Sequence, residues 1–211
     1  MEFIPIMLNV SSRDLVVIGG GTAALKKIEN MKPKFQKVTV ISEEFDSEFE
    51  SADIRKVKMR LTDPEQLSGF VNKDSIVVIA TDDRNMNREI RDYCSRKGLL
   101  FNSVDEADSP FIFPATFSSG GVTLSVSTDG RSPSLARFIR DRLKEQTVRY
   151  SLCLPVIQRL RKDVNFGSSK EKARFFSLLL NDEIFWKLVS DRKDEKAYKY
   201  GMDKSTSKLA K

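Results

Sequence analysis

The chain has 211 residues, 40% hydrophobic and 31% charged, with a formal net charge of +6, which allows a buried core but provides no apolar run long enough to cross a membrane. It contains no histidine and only two cysteines, Cys94 and Cys153. That excludes a Ser-His-Asp or Cys-His triad, every histidine-containing metal site, a disulfide framework and a zinc ribbon. No metal ligands are expected, and both thiols are expected to be buried and unreactive. The start, Met1-Glu2-Phe3-Ile4-Pro5, lacks the cationic flank and long apolar run of a secretory leader, so the expected compartment is the cytoplasm, with no membrane partner. Residues 1–149 carry 22 basic and 22 acidic side chains, and residues 150–211 carry 14 and 8. A solvated basic helical face accounts for that excess more simply than a polyanion site, and no nucleic-acid partner is expected.

After an apolar stretch from Phe3 to Val10 and a polar turn at Ser11-Ser12-Arg13-Asp14, the run Leu15-Val16-Val17-Ile18 ends in three glycines. A continuous branched-aliphatic run of this kind predicts a buried strand entering a tight turn. Thr22 to Met31 places Ala24, Ile28 and Met31 at helical spacing and stops at Lys32-Pro33, so a helix is predicted there. Lys37-Val38-Thr39-Val40-Ile41 predicts a second strand. Strand, glycine turn, helix and strand within about 30 residues make a βαβ unit, because parallel pairing requires a crossover. The alternation continues with a weak strand near Arg55 to Arg60, a strand over Ser75 to Ala80, a helix over residues 84–97 and a short strand at Leu99-Leu100-Phe101. The economical fold for residues 1–104 is therefore α/β, a Rossmann-type doubly wound parallel sheet.

Beyond residue 104 the pattern changes. Phe111 to Phe117, Ser118-Ser119-Gly120-Gly121 and Val122 to Ser127 predict an antiparallel hairpin, since so short a connection cannot hold a crossover. Ser132-Pro133 supplies a capping hydroxyl and a first-turn proline for a helix through Leu135, Phe138, Ile139 and Leu143. Residues 150–190 are predicted helical, and the Lys-rich stretch after Asp191 is expected to be disordered. The predicted organisation is a Rossmann domain over 1–104, a hairpin-plus-helix segment over 105–149 and an α-helical C-terminal region over 150–211.

Gly19-Gly20-Gly21-Thr22-Ala23-Ala24 is a G-x-G-x-x-A form of the dinucleotide fingerprint. Gly19 permits the turn, Gly21 lets a pyrophosphate approach the backbone, Ala24 allows close helix–strand packing, and the helix start offers N–H groups to the anion. An acidic residue for the adenosine ribose is expected about 20 positions on, where the second strand ends in Ser42-Glu43-Glu44. No Arg or Lys follows closely to meet a 2′-phosphate, so NAD is the favoured cofactor over NADP. Ala80-Thr81-Asp82-Asp83 ends a buried strand on the ligand side of such a sheet; Thr81 and Asp82 are candidate cofactor contacts, with helix capping as the alternative for the aspartates. Asn102-Ser103-Val104-Asp105 ends the next strand and brings Asp105 forward as a candidate catalytic carboxylate. Ser125-Val126-Ser127-Thr128-Asp129-Gly130-Arg131-Ser132-Pro133 crowds hydroxyls, a carboxylate and a guanidinium between a strand and a helix start, which suits an acidic ligand or else is an ordinary capped loop.

Taken in order, Phe3-Ile4-Pro5-Ile6, Val17-Ile18-Gly19-Gly20-Gly21, Ala80-Thr81-Asp82-Asp83, Asn102-Ser103-Val104-Asp105, Phe111-Ile112-Phe113-Pro114-Ala115 and Ser127 to Arg137 resemble the siroheme synthase N-terminal domain family over residues 1–145. These are precorrin-2 dehydrogenases, some of them also sirohydrochlorin ferrochelatases. The resemblance implies NAD-dependent conversion of precorrin-2 to sirohydrochlorin, with precorrin-2 made by a separate uroporphyrinogen methyltransferase. It also implies a homodimer in which the segment after the Rossmann domain is exchanged and the hairpin and helix serve dimerisation. It places Asp105 at the family's active-site aspartate, and Ser127, Thr128, Arg131 and Ser132 on the tetrapyrrole side. Asp129, where many members carry a small residue, and the lack of histidine depart from the pattern and bear on iron insertion more than on dehydrogenation. A non-catalytic dinucleotide-sensing module is the alternative of a different class; it explains the fingerprint and the basic tail but not the hairpin.

Overall fold

Leu15-Val16-Val17-Ile18 has no polar side chain to place in water, and it forms the central strand of a parallel sheet. The computed structural model describes residues 3–29, 34–49, 54–103 and 109–208. In the first of two compact units, Met1–Phe113, the strands are β1 (Asp14–Ile18), β2 (Lys37–Ser42), β3 (Arg55–Lys58), β4 (Ile76–Ile79) and β5 (Leu100–Ser103). Their order is β3-β2-β1-β4-β5, all parallel. Between them run the helices α1 (Thr22–Glu29) and α2 (Arg84–Arg96). Alternation of side chains across the pleat gives the sheet two apolar faces. Val16, Ile18, Ile41, Val77 and Ile79 pack with Ile90, Tyr93 and Cys94 of α2, while Leu15, Val17, Val40 and Val78 pack with Ala24, Leu25 and Ile28 of α1. This is the doubly wound sheet expected from the sequence. The end of the predicted first helix, residues 30–33, lies outside the described residues. The apolar stretch from Phe3 to Val10 forms no strand, and Ile4, Ile6 and Met7 are largely exposed.

The second unit, Pro114–Lys211, begins with the antiparallel pair β6 (Ala115–Ser119) and β7 (Val122–Val126), joined through Gly120 and Gly121, both at positive φ. That conformation suits the tight turns whose twist matches paired strands. The helix α3 (Pro133–Asp163) follows, capped by Ser132, whose Oγ accepts from Leu135 N–H at 3.4 Å. It spans 31 residues with Pro155 inside, and so runs unbroken through the expected boundary at 149/150. Then come α4 (Ser169–Leu180), α5 (Glu183–Ser190) and α6 (Asp194–Lys208).

The expected disorder after Asp191 is corrected by α6. Ala197 is fully buried, and an added Cβ at Gly201 would stand 2.5 Å from Leu160 Cδ1, so the helix packs tightly on α3. Tyr198 Oη donates to Asp163 at 2.9 Å, and the Arg159 guanidinium lies 4.0 Å from the Tyr198 ring centre. Composition pointed to disorder because the tail's apolar residues are few, but the small residues Ala197, Gly201 and Ser205 recur every four positions and are buried, which lets the helix approach closely.

Candidate functional site

Strand order reverses between β1 and β4, with β2 and β3 added on one side of β1 and β4 and β5 on the other, and the crevice beyond the carboxyl ends of two such parallel strands is where open α/β sheets bind ligands. Gly19 lies there at φ +117, and a Cβ on it would stand 2.1 Å from the Ala80 carbonyl oxygen. Its N–H donates to Ile41 C=O at 2.9 Å. Gly20 is pressed against the chain leaving β2: a Cβ would meet Glu44 O at 2.1 Å and Ser42 Oγ at 2.8 Å. At Gly21 the nearest atom to an added Cβ is Asp46 Oδ2, 3.9 Å away. Two glycines therefore close the turn, and the third leaves backbone bare at the start of α1. First-turn N–H groups have no intrahelical partner, so Thr22 and Ala23 begin a helix whose amino end favours an anion. Ala24, fully buried between α1 and the sheet, supplies the close packing expected of the fingerprint's small residue. This cradle fits the pyrophosphate of a dinucleotide.

Two nearby residues escaped the sequence reading. Asp46 N–H donates to Gly20 C=O at 2.9 Å, and its Oδ2 accepts from Thr22 Oγ1 at 3.0 Å, so a carboxylate sits beside the helix start. Glu43, the expected ribose acceptor, lies 3.6 Å from Arg60. Arg60 is distant in sequence and reaches Glu43 because β3 pairs with β2. Only the strand order carries that signal.

Thr81 and Asp82 follow β4. The Thr81 hydroxyl bonds Asn87 Oδ1 and accepts from Asp83 N–H at 3.2 Å, and Asn87 Nδ2 donates to Thr81 C=O at 2.9 Å. Thr81 is thus tied into the start of α2. Asp83 is the helix cap, its Oδ1 accepting from Asn85 and Met86 N–H at 3.0 Å each, while Asp82 is exposed. At the end of β5, buried Asn102 accepts from Lys27 Nζ at 2.6 Å and donates to Phe111 C=O at 3.0 Å. Ser103 N–H donates to Ser109 Oγ at 3.0 Å. Asp105 lies outside the described residues.

In the second unit, the loop before α3 is self-capped. Ser127 Oγ accepts from Asp129 N–H at 3.0 Å, Thr128 Oγ1 from Ser132 N–H at 2.9 Å, and Ser132 Oγ caps α3. Each hydroxyl uses its oxygen inward, which leaves its hydrogen to donate to an acidic ligand. Arg131 is highly exposed and 3.6 Å from Asp129, and Asp129 holds φ 52, a conformation that glycine adopts more readily. A cavity of about 430 Å3 opens elsewhere in this unit. The Arg149 guanidinium, 5.0 Å from the ring centre, covers a face of its Trp186, and none of the expected site residues lines it. Both cysteines are buried, and burial pushes the Cys94 thiol up to about 12 and raises that of Cys153. Among the described residues no cluster of potential metal ligands occurs, and no helix is long and apolar enough to cross a membrane.

Residues 6–115 match the family described as "Putative NAD(P)-binding". The chain belongs to this NAD(P)-binding family. The glycine turn, the ends of β2 and β4 and the whole parallel sheet fall within the matched residues. The chain is 28% identical to a siroheme synthase of Thioalkalivibrio sulfidiphilus over 217 aligned residues, 96% of this chain and 43% of that protein. It is 30% identical to siroheme synthase 2 of Aeromonas hydrophila over 71% of this chain and 32% of that protein. It thus spans less than half the length of these curated relatives. The solved structure of SirC, a precorrin-2 dehydrogenase, superposes with a TM-score of 0.70 at 22% identity, covering 94% of this chain and all of that one. The likeness places this chain in the same fold.

Proposed function

We propose that the chain is an NAD-dependent dehydrogenase that converts precorrin-2 to sirohydrochlorin. The observation that carries this reading is a glycine turn, bare at Gly21 and set at the sheet's switch point, in a chain that aligns over 96% of its length with a siroheme synthase. NAD supplies a hydride acceptor when bound. Gly19, Gly20 and Gly21 shape the pyrophosphate cradle, the first turn of α1 from Thr22 presents N–H groups, and Glu43 beside Ser42 accepts from the adenosine ribose. Thr81 and Asp82 border the crevice from the end of β4.

The substrate loses a hydride and a proton. In a chain without histidine a carboxylate is the strong candidate for the base, and Asp105, two residues beyond β5, is the candidate. Precorrin-2 is rich in carboxylates; the hydroxyls of Ser127, Thr128 and Ser132, each still able to donate, and the Arg131 guanidinium suit it. Precorrin-2 itself comes from a methyltransferase reaction. A homodimer is supported by exposed apolar side chains that a second copy would cover, Ile4 and Met7 in the first unit and Leu135 and Phe138 in the second.

The test is anaerobic absorbance of the protein with precorrin-2, with and without NAD, in metal-free buffer. The expected result is NAD-dependent appearance of sirohydrochlorin faster than without protein. Asp105→Asn should retain NAD binding and lose about 10²–10⁴-fold in turnover, the usual contribution of a general base. Binding of NAD with no turnover by the unaltered protein would favour the sensing module instead. Light scattering under the assay conditions checks the dimer.

A further inference from the structure

We propose that the helical unit carries a ligand site of its own, a cavity beside Trp186 that takes a small aromatic monocarboxylate. None of its residues belongs to the glycine turn or to the loop before α3. Its volume, about 430 Å3, lies within the range of small-molecule sites, roughly 300–1,000 Å3. Three helices build it. Glu183, Trp186, Lys187 and Ser190 recur at the i, i+3, i+4, i+7 spacing of one face of α5, the end of α4 adds Leu180, and α3 adds Arg149.

The indole is fixed before any ligand arrives. Its Nε1–H donates to Leu180 C=O at 2.6 Å, and Tyr150 and Phe185 meet it edge to face with ring centres at 5.7 and 6.0 Å. A side chain held this way presents flat apolar surface at little further ordering cost. Phe185 and Val189 make the fully buried contacts of α5 with the core, whereas Trp186 is only partly buried, so ring surface stays open to the cavity. Arg149 lies over the indole, its guanidinium 5.0 Å from the ring centre, and among the described residues it makes no ion pair. Contact through the ring leaves N–H groups along the guanidinium edge, whose fork matches a carboxylate. Lys187 adds a second cation and Ser190 a hydroxyl donor, while Glu183 adds one negative charge. Two cations against one anion balance a single carboxylate and leave a dianion such as phosphate uncompensated. A ring on that carboxylate completes the fit against Trp186 and Leu180.

Trp186 is the one tryptophan of the chain, so its emission reports on this cavity. The experiment is titration of sodium benzoate into the full chain, followed by tryptophan emission and by calorimetry, with benzamide and inorganic phosphate as the neutral and dianionic counterparts. Benzoate should saturate with a Kd of about 1 mM or tighter, and benzamide and phosphate should bind at least tenfold more weakly. Arg149→Met keeps an unbranched side chain over the indole and should weaken benzoate at least tenfold. Its urea midpoint should stay unchanged, because Arg149 is exposed. Lys187→Gln should weaken benzoate by a smaller factor. Benzoate that fails to saturate, or that binds Arg149→Met as well as the unaltered protein, overturns the site. Equal affinity for benzamide or for phosphate overturns the assigned ligand class.

Discussion

Three adjacent glycines perform three different tasks, and their substitutions separate them. Gly19 combines φ +117 with a backbone oxygen 2.1 Å from where a Cβ would be. Gly19→Ala should cost about 2–4 kcal/mol from the disfavoured backbone region and the clash, read as a lowered denaturation midpoint. Gly21 is outside the positive-φ set and has open space around an added Cβ. Gly21→Asp should therefore fold with a midpoint close to the unaltered protein and lose NAD binding, because a carboxylate at the closest approach of the pyrophosphate repels it. Unchanged NAD affinity in Gly21→Asp would remove the fingerprint assignment. Asp46 is already an anion at the edge of that turn, held by Thr22, and the added charge would lie beside it. The sequence revealed the glycines because their spacing is local. It concealed Asp46 and Arg60, whose meaning depends on which loops the sheet brings together.

At the level of elements, the second unit depends on α3. Pro155 has no N–H to give to Ser151 C=O, yet the helix continues past it because its apolar face is covered. Cys153, Val156 and Leu160 join Phe175 and Leu179 of α4, Phe185 and Val189 of α5 and Ala197 of α6 in one core. Leu160 is fully buried, and its methyls fill the space against Gly201. Leu160→Ala should destabilise by about 2–5 kcal/mol, the usual cost of a large-to-small change in a packed core, measured as the fall in urea-unfolding free energy of the helical unit. Sequence reading placed a segment boundary at 149/150, between two helical stretches, and left the tail after Asp191 unfolded. Helical propensity and composition weigh each segment alone, whereas the groove that receives Tyr198 and Gly201 exists only once α3 has passed Pro155.

For the whole molecule, charge is distributed by unit. The second unit holds four carboxylates, Asp141, Asp182, Asp191 and Glu195, whose titration is displaced downward. Asp182 is pulled upward by burial, but bonds from Tyr200 Oη at 2.8 Å, the Phe185 N–H and Lys204 outweigh this and hold it below the usual carboxylate range. Glu195 is held down by its bonds and charge from Arg159, Asp141 by Lys144 and Arg140, and Asp191 by Lys193. Because these values are depressed in the folded state, their stabilisation is fully present above the unfolded carboxylate value of about 4 and is lost as pH falls through the folded ones. The urea midpoint of the helical unit should therefore drop on moving from about pH 5 toward pH 3. Asp182→Asn should flatten that drop. A midpoint constant across this range would contradict the assigned pairing.

By itself the sequence determined the parallel sheet, the glycine turn and the hairpin, because each rests on short-range rules: strand runs, positive φ at glycine and connection length. Thr81 and the Ser127–Ser132 loop were legible as hydroxyl-rich strand ends, but not the inward bonds that Asn87 and the loop's own N–H groups make with them. Tertiary structure alone decided that α6 is ordered on α3 and that Arg60 stands beside Glu43. The physical reason is the same in each case: these contacts join segments whose separation in the chain carries no pattern, and only the packed strand order and helix faces fix which side chains meet.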